Sequence, residues 1–354
     1  MTRSLMVTGA AGFIGANFVY HWVEANPDDT VVAYDALTYA GNRASLTPLE
    51  ASGQLHFVQG DICDGDLVRR TLDDFQVDTL VHFAAESHVD RSISGPDAFI
   101  RTNLVGTHTL LAAARARWLT GSGQAHRFHH VSTDEVFGSL APQAPAFTET
   151  LRYEPNSPYS ASKAGSDHLV RAYHHTYGLE VSTSNCSNNY GPFHFPEKLI
   201  PLCLTNILDG RPLPVYGDGS NIRDWLYVGD HARGISRVIE AGDPGETYNI
   251  GGNNEWANIA IVELLCDLLD TRFADDPELA QRFPASPAAR GEARTLITFV
   301  EDRAGHDWRY AIDASKIERE LGFTPAETFE TGIARTIDWY LANEAWWRPL
   351  LPHP

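Results

Sequence analysis

The sequence predicts an α/β protein: a doubly wound parallel sheet followed by a smaller mixed α/β C-terminal domain. Three observations carry this. Short apolar runs alternate with helical stretches through the first half of the chain. The first apolar run leads at once into a glycine-rich turn that opens a helix. Beyond about residue 185 the alternation gives way to Pro- and Gly-rich stretches and irregular elements.

The elements follow in order. Ser4–Thr8 is a short apolar strand, and the turn Gly9-Ala10-Ala11-Gly12-Phe13-Ile14-Gly15 opens a helix running to about Ala25. Residues 30–34 form a second strand ending at Asp35, and residues 55–58 a third that leads into Gly60-Asp61-Ile62. Residues 77–83 make a fourth strand, 97–118 a long helix and 128–132 a fifth strand. A helix carrying Tyr159 has clear ends: Ser157 suits the cap, Pro158 the first turn and Gly178 the stop. Residues 180–184 form a sixth strand. Strands of this kind belong in a parallel sheet covered on both faces. From Asn185 to about Asp224 the pattern reads as loops, and residues 271–293 read as an insertion or mobile loop. The expected division is a sheet domain over residues 1–185, with return segments near 225–250 and 311–323, and a second domain over most of 186–354.

Bulk properties narrow the class. With 43% hydrophobic and 21% charged residues the composition is that of a globular protein. No apolar run approaches the roughly 20 residues of a membrane span. The chain opens directly on a strand, so a secretory signal is not expected. Cys63, Cys186, Cys203 and Cys266 are scattered without a CxxC, which points to a reducing cytoplasm rather than disulfides or a zinc site. The net charge of -19 argues against nucleic acid or an anionic membrane as partner. The chain has 24 Arg and three Lys, namely Lys163, Lys198 and Lys316. Against that background Lys163 and Lys198 suggest roles Arg does not fill, whereas Lys316 reads as solvated surface. The 15 histidines show no ligand spacing and read as structural, with no metal expected.

Gly9, Gly12 and Gly15 form GxxGxxG between a strand and a helix, a variant of the Rossmann dinucleotide fingerprint. Glycines admit a pyrophosphate to the backbone, and the helix N-terminus attracts its charge. Asp35, twenty residues past Gly15, stands where a carboxylate bonds the adenosine ribose, favouring NAD over NADP. Asp61 and Ile62, at the end of the third strand, suit an adenine contact. Ser132-Thr133-Asp134-Glu135 follows the fifth strand directly, where ligands gather in such sheets. Tyr159 and Lys163, four apart on a helix, share a face. Tyr and Lys suffice for alcohol oxidation; an added acid and base suit an enzyme that also removes water.

Six stretches carry a resemblance: 7–15, Ala84-Ala85-Glu86-Ser87-His88-Val89-Asp90, 132–138, 159–163, Asn188-Asn189-Tyr190-Gly191-Pro192 and 302–307. They resemble the nucleotide-sugar 4,6-dehydratases of the extended short-chain dehydrogenase/reductase family, most of all the dTDP-glucose branch, from Met1 to about Phe323. The Thr-Asp-Glu triplet is the most specific element; related 4-epimerases lack its Asp-Glu pair. The resemblance implies a three-stage reaction. Tyr159, assisted by Thr133, takes the proton of the sugar 4-hydroxyl as NAD takes hydride from C4; Lys163 and the nicotinamide charge bring the phenol down from its usual pKa. Glu135 then removes the C5 proton while Asp134, kept protonated by burial and by the Glu135 charge, protonates the departing 6-hydroxyl. Hydride finally returns to C6 and a proton to C5, giving a 4-keto-6-deoxy sugar nucleotide and restoring NAD.

The same resemblance implies cofactor contacts at Phe13, Ile14, Leu37, Thr38, Phe83, Ala84, Ala85, Glu86, Thr102 and Asn189. It implies substrate contacts at Ser87, Asn188, Lys198, Leu199, Pro214, Val215, Tyr216, Arg223, Asn258, Arg303 and His306. It also implies a homodimer through the helices starting near Asp97 and Pro158. Gly229, Ala304 and Asn253-Asn254-Glu255-Trp256 depart from the family pattern. A 4-epimerase or 4-dehydrogenase is the runner-up enzyme, discriminated by Asp134-Glu135; a dehydratase of CDP-, UDP- or GDP-hexoses is the alternative in specificity. A non-catalytic NAD-binding protein would have lost Tyr159 or Lys163, and this chain keeps both.

Overall fold

The structure, a computed structural model, describes residues 2–302 and 305–351. Its strands in chain order are β1 Ser4–Thr8, β2 Thr30–Asp35, β3 His56–Gln59, β4 Thr79–His82, β5 Arg127–Thr133, β6 Val181–Cys186, β7 Asn188–Tyr190, β8 Leu213–Tyr216, β9 Ile222–Tyr227, β10 Thr247–Ile250, β11 Glu255–Ala257 and β12 Ile297–Val300. Seven form one sheet in the order β10-β6-β5-β4-β1-β2-β3, every pair parallel. The chain winds outward from β1 to β3, then restarts at β4 and winds the other way. The reversal lies between β1 and β4, so their C-terminal ends open a crevice.

Side-chain alternation sorts the two faces. Leu5, Val7 and Val31 pack with Phe18, Trp22, Ile235 and Ile317 on one side; Met6, Val32 and Leu80 pack with Leu72, Leu110 and Val170 on the other. The predicted long helix runs from Pro96 to Ser122 as a continuous helical stretch, widened to π geometry at Ile100–Gly106 and Ala116–Ser122. Gly106 is held close to Ile62: a Cβ there would lie 2.4 Å from Ile62 Cδ1.

β10 pairs with β6, so residues 247–250 return to the large sheet. The remaining strands form a three-stranded sheet, β11-β9-β7, and a pair, β12-β8. The helices Leu199–Asp209, Asn258–Asp275 and Phe329–Ala342 surround their core of Leu204, Ile207, Leu265, Leu269 and Ile333.

The structure corrects three expectations. The stretch 185–224 is not loop: it holds β7, β8, the start of β9 and the helix Leu199–Asp209. That helix is buried on most of its circumference, so it shows no polar face to reveal its period. Residues 271–293 are not a loose insertion. Asn258–Asp275 runs into them, and Phe273, Leu279, Phe283 and Ala293 are buried in the C-terminal core. Lys316 is not merely solvated: its Nζ donates to Glu246 Oε2 at 2.6 Å and to the Thr247 carbonyl at 2.8 Å, tying the helix Ser315–Leu321 to β10.

The C-terminal helices also reach back across the molecule. Phe193, at φ +63°, packs against Trp339 and Trp346, with ring centroids 4.9 and 5.6 Å away. Trp346 Nε1 in turn donates to Ser45 Oγ at 3.1 Å. Among the described residues no helix is long and apolar enough to cross a membrane.

Candidate active site

A cavity of about 440 Å³ lies along the crevice. At its floor the glycine turn is forced by close approach. Gly9 sits at φ +70°, and a Cβ on it would lie 2.6 Å from Ala84 N. A Cβ on Gly15 would lie 2.2 Å from the Gly9 carbonyl oxygen, so the helix Phe13–Ala25 packs against the turn only without one. Gly12 caps that helix with no side-chain bond, and its first turn holds no acidic residue. The first amide groups of the helix are thereby left to an anion. Asp35 ends β2 with Oδ2 accepting from Ala11 N at 2.9 Å and Oδ1 from Leu37 N at 2.7 Å. Burial pushes its carboxyl upward and these two bonds pull it down. The glycine cradle, the uncapped helix and this carboxylate suit a dinucleotide.

Of the cofactor candidates, Gly9, Gly12, Phe13, Ile14, Gly15, Asp35, Thr38, Asp61, Ile62, Phe83, Ala84, Ala85, Glu86, Thr102 and Asn189 line the cavity. Leu37 does not; its backbone serves Asp35 instead.

The wall opposite is built where β5 ends. Thr133 caps the short helical turn Asp134–Phe137, its Oγ1 accepting from Glu135 N at 3.3 Å and lying 3.4 Å from Asp134 Oδ1. The helix Pro158–Tyr177 delivers Tyr159 in its first turn. Its start is fixed by a reciprocal box: Ser157 Oγ accepts from Ser160 N at 3.0 Å, and Ser157 N donates to Ser160 Oγ at 3.1 Å. Gly178 ends it at φ +76°. Thr133, Asp134, Glu135, Tyr159 and Lys163 all line the cavity.

Electrostatics divides these groups. Asp134 is 1% exposed, and its Oδ2 has no hydrogen-bond partner. Burial first, then the charges of Glu135 and Asp224, raise its carboxyl well above the usual range, against Arg223 and the Thr133 hydroxyl. Tyr159 is also pushed well above its ordinary value, by burial and then by Glu135, with only a Thr133 hydrogen bond among its leading influences pulling down. The expectation that Lys163 lowers this phenol meets larger opposing effects. Lys163 Nζ donates to the Val131 carbonyl at 2.8 Å, and burial lowers its own pKa.

The substrate candidates separate into two groups. Ser87, Thr133, Asn188, Lys198 and Leu199 line the cavity, and Lys198 Nζ donates to the Ser87 carbonyl at 3.2 Å. Pro214, Val215, Tyr216, Arg223, Asn258 and His306 stand outside the cavity wall. Arg223 lies 4.2 Å over the Tyr310 ring and donates to the carbonyls of Ile222 and Asp307 at 2.7 and 3.0 Å. His306 faces Tyr216 at 6.3 Å between ring centroids and meets Asp302 at 2.6 Å. Arg303, with Ala304, lies outside the described residues.

Sequence reasoning missed several lining residues. Tyr39, His194, Phe195 and Glu197 also line the cavity. Arg91 Nη2 bonds Glu197 at 3.1 Å, its guanidinium lies 3.7 Å over the Tyr39 ring, and His194 stacks on Phe13 at 4.0 Å. Glu197 stands next to the singled-out Lys198, which was the one available signal. Among the described residues no group of three or more His, Cys, Asp or Glu is disposed to hold a metal.

Comparison with known proteins agrees with this geometry. The family model for GDP-mannose 4,6 dehydratase matches residues 6–336. A dTDP-glucose 4,6-dehydratase of Neisseria meningitidis serogroup B is 55% identical over 99% of this chain and 96% of its own length. The crystal structure of DesIV, a dTDP-glucose 4,6-dehydratase from Streptomyces venezuelae with NAD bound, superposes with a TM-score of 0.87 at 48% identity, covering 98% of this chain and 100% of that one. A UDP-glucose 4-epimerase from Thermotoga maritima, 23% identical with a TM-score of 0.80 over 96% of this chain and 99% of that one, shares the fold. Matched over nearly its whole length by such relatives, the chain belongs to the nucleotide-sugar 4,6-dehydratase family.

Proposed function

We propose that the chain is an NAD-dependent dTDP-glucose 4,6-dehydratase of deoxysugar biosynthesis, producing dTDP-4-keto-6-deoxyglucose. The observation that carries this is the meeting, on one cavity wall, of the Asp134–Glu135 pair with Tyr159 and Lys163. The names of the relatives point the same way. A 4-epimerase shares the fold but has no use for a buried, protonated acid beside a carboxylate base.

Gly9, Gly12 and the amide groups opening the helix Phe13–Ala25 would hold the diphosphate of NAD, and Asp35 its adenosine ribose. Bound there, NAD supplies the hydride acceptor for C4 and the hydride donor for C6. Tyr159 Oη takes the proton of the 4-hydroxyl, with Thr133 Oγ1 orienting the phenol. Because burial, and after it the neighbouring acids, raise this phenol, a positive charge at the nicotinamide and at Lys163 has to bring it down. The 4-ketone so formed acidifies C5, and Glu135 removes that proton. Asp134, held as the neutral acid by burial, gives its proton to the departing 6-hydroxyl, which leaves as water, and a proton is returned to C5 as C6 receives hydride. The two carboxyls act as a coupled pair. Ser87, Asn188, Lys198 and Leu199 would bind the sugar, and Arg223, Arg303 and His306 the diphosphate.

The two-domain division near residue 185 is supported by the separate core around Leu204 and Leu265. A homodimer is supported by Ile93, Ile100 and Val105, exposed on consecutive helical segments. The free thiols suit a reducing cytoplasm.

The test is mass spectrometry of dTDP-glucose turned over in heavy water. The expected product is lighter by one water and carries one solvent deuteron at C5. Unchanged mass with inverted C4 would make the enzyme an epimerase.

A further inference from the structure

Lys163 is 4% exposed, and the Val131 carbonyl that accepts its hydrogen bond is neutral. An ammonium this deeply buried requires an opposite charge nearby. One turn further along the same helix, at i+4 from Lys163, stands Asp167, 6% exposed. Tyr159, Lys163 and Asp167 thus form one stripe on the helix.

Strand β5 grips both ends of this pair. The Val131 carbonyl holds the lysine. The flanking residues hold the carboxylate: His130 Nε2 meets Asp167 Oδ1 at 3.0 Å, and Ser132 Oγ donates to Oδ2 at 2.8 Å. The Tyr153 phenol bonds it as well. His130 is pushed well below its usual pKa by burial and then by Lys163, so it stays neutral. Its proton lies on Nε2, toward Asp167, and its Nδ1 has no partner. The adjacent His168 acts on Asp167 through its charge alone, and His82 on β4 faces His130 at 5.3 Å. The reaction steps above give Asp167 no part, yet three side chains are committed to it.

We propose that Asp167 is a positioning residue: a buried carboxylate, fixed by His130, Ser132 and Tyr153, that keeps Lys163 charged and in place beside Tyr159. Its bearing on turnover rests on the role given to Lys163 above. Burial pushes the Asp167 carboxyl up to about 6, with Lys163 the leading influence against it. Near neutral pH it is therefore the anion. For Lys163, burial lowers the pKa and Asp167 is the leading influence that raises it.

The scarcity of lysine makes a direct test practical. Isotope labelling of lysine Cε in the full-length protein gives three resonances, assigned by Lys198→Arg and Lys316→Arg. Asp167→Asn is expected to lower the Lys163 titration midpoint by about one pH unit or more, and Asp167→Glu to restore most of it. In the unaltered chain the same resonance should show a second inflection near pH 6 as Asp167 takes a proton. Tyr153→Phe should move that inflection upward, because a bond to the ionised carboxylate is lost. These two readings stand even if Asp167→Asn fails to fold. With dTDP-glucose, the alkaline limb of kcat in Asp167→Asn should fall by the same interval while KM holds. A Lys163 midpoint unchanged in Asp167→Asn, or no second inflection in the unaltered chain, overturns the proposal whatever the substrate proves to be. A failure of dTDP-glucose to react would count against the dehydratase reading and leave the resonance measurements decisive.

Discussion

Asp134 is placed where an ordinary carboxylate would not choose to be. It is buried, one oxygen lacks a partner, and Glu135 stands beside it. Its pKa is raised in the folded chain, so the sign of the linkage is fixed. The stability it allows is full below the unfolded carboxylate range and declines as pH rises toward the folded value. Asp134→Asn carries no such loss. Its melting temperature should gain on that of the unaltered protein as pH rises above the ordinary carboxylate range, read by calorimetry. The same variant should form the 4-ketone and retain the 6-hydroxyl; full product from it would refute the acid assignment. The triplet Thr133-Asp134-Glu135 and the Tyr159–Lys163 spacing were legible because each is local in sequence. Tyr39 and Glu197 were not, because separate segments bring them to the site. Tyr310, 87 residues beyond Arg223, meets it only through the fold.

At the scale of elements, legibility followed the same divide. The Tyr159 helix was readable at both ends, since Ser157, Pro158 and Gly178 write its limits in neighbouring residues. The Leu199–Asp209 helix was hidden by its own burial, and residues 271–293 by a Pro- and Ala-rich composition that nonetheless seats Phe273 and Phe283 in a core. The readable caps carry function as well as order, because Tyr159 lies in the first turn. Ser157→Ala should cost about 1 kcal/mol of stability. It should lower kcat more than KM, since fraying begins where the phenol is held. Denaturant titration and steady-state kinetics on one preparation check both.

At the scale of the molecule, the doubly wound parallel sheet followed from alternating strands and a single glycine turn, while the strand order and the packing of the C-terminal elements did not. Exposed Ile93, Ile100 and Val105 interrupt a surface that otherwise carries a net charge of -19. Ile100→Glu should convert a sedimenting dimer to monomer with the melting of the protomer core retained; an unaltered chain that sediments only as monomer would remove the dimer. The tie from Trp339 and Trp346 to Phe193 has a consequence in time. Ribosomes deliver the glycine turn, Tyr159 and Lys198 well before either tryptophan exists. A nascent chain can therefore complete its sheet while the segment leading to Lys198 still lacks its last anchor, and that segment is the final part of the catalytic chamber to set.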